Sequence, residues 1–148
     1  FGLISVAGEP FVIEYNCRMG DPETEVVIPR IKSDFVEILD DLVNNRIKDQ
    51  VLKISDQSAA TIMMVSGGYP GDFSKNKIIT RLNDVASSLV FHSGTAMDGD
   101  NLVTNGGRVL AVTTLSNDHK TAVKISLDNA DKICFDGKYY RRDIGFDL

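Results

Sequence analysis

Cysteine, proline and histidine are scarce in these 148 residues: two, four and two respectively. Cys17 and Cys134 stand far apart and in no metal-spaced motif, so they make neither a disulfide framework nor a cysteine metal site. A reduced, cytoplasmic setting is therefore expected. His119 stands near a helix start and His92 at a strand end, without a serine, a cysteine or a paired ligand at motif spacing. Neither is expected to be catalytic. No apolar run approaches the roughly 18 residues of a membrane span, and no signal peptide is recognisable. No basic stripe interleaves with aromatics, which argues against nucleic acid as a partner. Internal repeats and low-complexity segments are also missing.

With 43% hydrophobic residues, the chain can bury a substantial core. It opens on Phe1, and Gly2 to Val6 already reads like the middle of a strand, so a fragment of a longer protein is expected. The net charge of −5 is unevenly spread: residues 1–50 hold ten acidic and five basic side chains, residues 51–148 eleven of each. A nucleotide or sugar phosphate needs only a local cluster of positive charge, and Arg18 and Arg141–Arg142 can supply one.

One stretch carries the chemistry: Val12-Ile13-Glu14-Tyr15-Asn16-Cys17-Arg18-Met19-Gly20-Asp21-Pro22-Glu23-Thr24-Glu25. Phe11 to Tyr15 has strand composition, and residues two apart on a strand share a face. Glu14 and Asn16 thus offer a carboxylate and an amide oxygen side by side, a donor set suited to Mg²⁺. Arg18 continues the same parity, and its planar fork suits a carboxylate or a phosphate; a surface salt bridge to Asp21 or Glu23 is the alternative. Asp21 is placed to cap a helix with Pro22 at the first helical position. Asp21 and Glu23 can orient Arg18, or serve only the helix start.

Phe1–Val6 and Phe11–Tyr15 predict a hairpin around Ala7–Pro10. A short helix follows over Glu23–Ile28, closed near Pro29. A second helix starts at Ser33 or Asp34, its inner face made by Phe35, Ile38, Leu39, Leu42, Val43 and Ile47 and expected to pack on the core. Residues 48–57 read as a connector. Beyond it, Ala59–Ser66 predicts a strand buried on both faces, and Gly67–Asp72 a turn. Ile78–Leu82, Leu89–His92, Asn101–Thr104 and Arg108–Leu115 are further strand candidates, with turns at Gly94–Asp100 and Asn105–Gly107. A helix capped by Ser116 or Asn117 runs to Asp131, followed by a hairpin of Ile133–Phe135 and Lys138–Arg142 around Asp136-Gly137. The fold class is α+β, the second unit a mostly antiparallel sheet with one main helix.

The whole string, running on into Val26-Val27-Ile28-Pro29-Arg30, resembles the end of the ATP-grasp domain of phosphoribosylamine–glycine ligases. The resemblance recurs in the family's order at Gly68–Asp72, Val90–Thr95, Thr104–Leu110 and Phe135–Gly145. It implies residues 1–50 as the end of an ATP-grasp domain and 51–148 as the family's C-terminal domain. It implies an ATP-dependent ligase that joins glycine to 5-phosphoribosylamine through a glycyl phosphate in purine biosynthesis. Glu14 and Asn16 would hold Mg²⁺ or Mn²⁺, and Arg18 and Asp21 would act in catalysis. Arg18, Gly20, Asp21 and one of Arg141 and Arg142 would bind substrate, the last gripping a ribose phosphate; strand-edge charge is the plainer alternative for that pair. Arg108 is a weaker candidate for the same grip. The family's Gly-rich loop and ATP-binding lysines are not in this chain, so the fragment alone is expected to be inactive and to self-associate through its exposed hairpin edge. A non-catalytic binding module over residues 58–148, or a ligase for another carboxylate–amine pair, are the competing readings.

Overall fold

A computed structural model describes residues 2–47 and 51–146. The chain opens with an antiparallel hairpin of β1 (Gly2–Val6) and β2 (Glu9–Glu14). Its turn is only two residues, Ala7 and Gly8, both at positive φ, the geometry that matches the twist of the flanking strands. Glu9 and Pro10, read from the sequence as turn, pair with Val6 and Ser5 instead.

Helix α1 (Thr24–Val27) comes next. Its N-cap is Glu23, not Asp21, because the Asp21 carboxylate is held by Arg108. Nor does Pro29 stop the chain's coiling. Ile28 keeps helical torsions and the chain tightens into a 3₁₀ turn, Ile28–Arg30, where a proline near the start lacks only a donor that would be unpaired anyway. Helix α2 (Phe35–Val43) starts where expected, the Asp34 carboxylate accepting from the N–H groups of Val36 and Glu37 at 2.9 and 3.1 Å. It ends at Val43, short of Ile47, and its apolar face is not packed: Leu42 is 53% and Val43 80% exposed. Periodicity identifies which face is apolar, not what covers it. Part of the connector, of which residues 48–50 lie outside the described residues, returns along 30–32 through Lys32 N–H to the Lys53 carbonyl and Ser55 N–H to the Arg30 carbonyl.

The second unit is built on β3 (Ser58–Val65), β4 (Leu89–His92) and β7 (Arg108–Ser116), antiparallel in the order β3-β7-β4. Central β7 is buried from Val109 to Thr114, whereas β3 alternates buried Ala60, Ile62 and Met64 with half-buried neighbours, so only one of its faces is fully covered. A separate hairpin pairs β5 (Thr95–Asp98) with β6 (Asn101–Thr104). β5 occupies what the sequence suggested was turn; the turn itself is Gly99-Asp100. The expected strand at Ile78–Leu82 reduces to bridges at Ile78 and Thr80, then a 3₁₀ turn at Leu82–Asp84.

Helix α3 (His119–Lys132) packs across β3 and β7. Asp118, rather than Ser116 or Asn117, caps it, accepting from Thr121 N–H at 2.8 Å. Its inner face is Ala122, Ser126, Asn129 and Ala130, half of it polar. The polar members are satisfied: Ser126 Oγ reaches Thr114 Oγ1 at 2.8 Å, and Asn129 Nδ2 donates to Ser88 Oγ and the Ala86 carbonyl, both at 2.7 Å. Ile62, Met64, Ile79, Leu110, Ile133 and Phe135 form the apolar core. The last predicted hairpin does not form. Its arms splay, Cys134 pairing with Thr80 and Tyr139 with Val65, because the free edge of β3 offers Tyr139 a partner.

Candidate functional site

The strand end of β2 and the loop before α1 enclose a cavity of about 220 Å³ lined by Gly2, Glu14, Asn16, Arg18, Gly20 and Glu23. Glu14 and Asn16 meet as their spacing predicts: Asn16 Nδ2 donates to Glu14 Oε1 at 3.0 Å. With its nitrogen turned to the carboxylate, Asn16 keeps its amide oxygen for another partner. Arg18 Nη1 donates to the Met19 carbonyl at 2.7 Å. Gly20 accepts at its carbonyl from Thr24 N–H (3.0 Å) and Thr24 Oγ1 (2.6 Å), which ties the corner to the first turn of α1.

Glu23 is the lining residue that sequence reasoning underweighted. Its carboxylate lies over Gly20, so close that a β-carbon there would be 2.1 Å from Glu23 Oε2. The Gly-x-x-Glu spacing carried that signal. The cavity therefore holds two carboxylates, one amide and one guanidinium. Among the described residues there is no cluster of three or more His, Cys, Asp or Glu side chains placed to hold a metal. Two carboxylates and an amide fit a hard cation that draws the rest of its shell from water and phosphate oxygens.

Asp21 is not among the lining residues. Arg108 reaches it from β7, Nη1 donating to the Asp21 carbonyl at 2.9 Å and Nη2 to Oδ2 at 3.0 Å. Arg141 and Arg142 lie elsewhere. Arg141 makes a double contact with Asp143, both at 2.9 Å, and borders an apolar cavity of about 230 Å³ with Met63, Tyr69 and Ile144. Arg142 clamps Asp131 at 2.6 and 3.1 Å and receives the edge of a wider cluster: it lies 5.0 Å from the Tyr140 ring, whose hydroxyl also donates to Asp131. Lys138 Nζ closes the end of α3 by donating to the carbonyls of Ala130, Asp131 and Ile133. The hydrogen bonds from Arg142 and then Tyr140 hold the Asp131 carboxyl down at about 2, while burial pushes the Tyr140 phenol up to about 12. Tyr140 and Arg142 thus fasten a helix end, and neither Arg141 nor Arg142 lines the Glu14 cavity. His92 is exposed, its Nδ1 3.1 Å from Thr95 Oγ1.

Residues 59–147 match the family model described as phosphoribosylglycinamide synthetase, C domain. The phosphoribosylamine–glycine ligase of Chlorobaculum tepidum is 45% identical over 147 residues, covering 97% of this chain and 35% of the relative. That of Vibrio cholerae is 40% identical over 146 residues, covering 97% and 34%. The trifunctional purine biosynthetic protein adenosine-3 of Gallus gallus is 41% identical over 149 residues, covering 98% and 15%. The crystal structure of phosphoribosylamine–glycine ligase from Thermotoga maritima superposes with a TM-score of 0.81 at 34% identity, over 96% of this chain and 35% of that one. The chain spans about a third of the length of the single-function relatives it matches.

Proposed function

The chain belongs to the phosphoribosylglycinamide synthetase family, and from that premise we propose that it is part of an ATP-dependent ligase joining glycine to 5-phosphoribosylamine. The observation that carries this is the convergence of Glu14, Asn16, Arg18 and Glu23 on one cavity. Glu14 and Asn16 would hold Mg²⁺ or Mn²⁺. When bound, that ion supplies charge neutralisation for phosphate oxygens during phosphoryl transfer. Arg18 would orient the glycine carboxylate by its fork as that carboxylate attacks the γ-phosphorus of ATP. The C–O–P bond forms, ADP leaves, and the amine of phosphoribosylamine then displaces phosphate to make the amide. Glu23 would orient the amine, and Asp21 would shape the corner beside it.

Residues 1–50 would be the end of the ATP-grasp domain and 51–148 the C-terminal domain, a division supported by the match beginning at residue 59. One of the paired arginines would hold the ribose phosphate; each borders a cavity and each bridges a carboxylate, Arg141 that of Asp143 and Arg142 that of Asp131. Arg141→Ala or Arg142→Ala in the full-length enzyme, whichever removes the partner of the phosphate, should raise KM for phosphoribosylamine and leave KM for ATP unchanged. No helix of the described residues is long and apolar enough to cross a membrane, and the free Cys17 and Cys134 fit a reducing, cytoplasmic setting. The test of the whole reading is ADP release by the full-length protein with ATP and Mg²⁺. Release that needs glycine and phosphoribosylamine together supports it; release indifferent to either amine or carboxylate overturns the substrate pair.

A further inference from the structure

Arg108 and Asp21 are separated by 87 residues and joined by two hydrogen bonds. One of these goes to the Asp21 carboxylate and the other to its main-chain carbonyl. An exposed ion pair alone stabilises little. A guanidinium bound to backbone and side chain of one residue restrains that residue's torsions as well, which a lysine ammonium cannot do in the same fixed geometry. The pair is partly open to solvent, the Arg108 and Asp21 side chains being 36% and 45% exposed, so its effect lies in the restraint and not in the charge energy.

The chain before Arg108 is shaped to deliver it. Gly107 lies beneath the Tyr69 ring, where a β-carbon would be 2.1 Å from a ring atom, and Gly106 lies against the backbone of Gly94. The pairing of β3 with β7 shifts register between Met64 and Val65, which sets Arg108 opposite Val65 at the end of the ladder. From there its guanidinium reaches Asp21. Asp21 adjoins Gly20, whose carbonyl is tied to Thr24 and over which the Glu23 carboxylate lies. Contact is continuous from β7 to the wall of the cavity.

We propose that Arg108 is a positioning residue: through Asp21 it holds the Gly20–Glu23 corner in the shape that presents Glu23 to the cavity. The proposal rests on the reading of that cavity as a ligase site, and it makes the second unit a working part of a site whose other residues precede it. Displacing groups that orient a reactant by about 1 Å is enough to cost on the order of a hundredfold in rate.

The experiment uses the full-length enzyme with R108A, R108K, D21A and the R108A/D21A double variant. Amide hydrogen exchange in a peptide covering residues 16–24 should accelerate in R108A while a peptide from β3 is unaffected. In steady state, kcat/KM for glycine should fall about tenfold or more in R108A, with KM for ATP unchanged and partial rescue in R108K. The double variant should lose no more than the worse single one, as expected for residues acting through one contact. Unaltered exchange over residues 16–24, or single losses that multiply in the double variant, overturns the proposal. Wild-type enzyme without ADP release dependent on glycine and phosphoribosylamine overturns the functional reading instead, and the exchange result still decides whether Arg108 orders the corner.

Discussion

At Gly20 the absence of a side chain has a functional consequence separable from stability. A methyl there would collide with Glu23 Oε2, the far end of a flexible side chain that can swing away at little cost. Gly20→Ala in the full-length enzyme should therefore leave the urea midpoint unchanged and lower kcat/KM for glycine by about tenfold, since the displaced group is a positioned one. Glu14→Gln keeps the shape and removes the charge of the carboxylate proposed to hold the metal. It should weaken Mn²⁺ binding, followed by paramagnetic relaxation of water protons, and remove most turnover; undiminished binding would sink the assignment. Asn16 is bonded to Glu14, so the same variant tests whether the amide holds its orientation by itself.

Among the elements, α3 shows how a helix end becomes an acid-sensitive joint. Asp131 near its C-terminus is a poor choice for the helix dipole, yet Arg142 and Tyr140 hold it ionised. Its folded value near 2 lies below the ordinary 3.8, so the contribution is complete above 3.8 and is lost as pH falls through about 2. Thermal midpoints measured from about pH 5 to about pH 2 should fall in the wild type, and Asp131→Asn should start lower and slope less steeply. Identical slopes would show that the clamp does not form in solution. In β7 the strand itself was easy to read, because the seven apolar and β-branched residues Val109–Leu115 favour extended backbone. Its central place was not, since the sequence pattern assigned the doubly buried position to Ala59–Ser66.

On the scale of the whole molecule, burial is lopsided. The core lies almost entirely after residue 59, while Leu3, Ile4, Phe11, Val12 and Ile13 of the first hairpin and Leu39 and Leu42 of α2 are exposed. A paired hairpin with two free edges and apolar side chains is a template for another strand. The 148-residue chain studied alone should therefore self-associate with increasing concentration in sedimentation velocity, and Ile13→Lys should return it towards monomer. A strictly monomeric chain would contradict this. The same chain should show no glycine-dependent ADP release, in contrast to the full-length enzyme.

Much was legible without coordinates where a local rule decides the outcome. The Glu14–Asn16 spacing, the first hairpin, the start of α2 at Ser33 or Asp34, a strand at β7 and the α+β class all follow from residue type and period. The family motifs added the chemistry that spacing leaves open. What only the tertiary structure decided are the choices among nearby alternatives of similar local energy. Asp21 was a fair helix cap until Arg108, distant in sequence, claimed its carboxylate. The arms of the last hairpin were fair partners for each other until the edge of β3 took Tyr139. Arg141 and Arg142 looked equivalent until the fold gave them different carboxylates, Asp143 and Asp131. Each is a competition for one hydrogen-bonding group, and the winner is set by what the fold brings near, which no window of sequence contains.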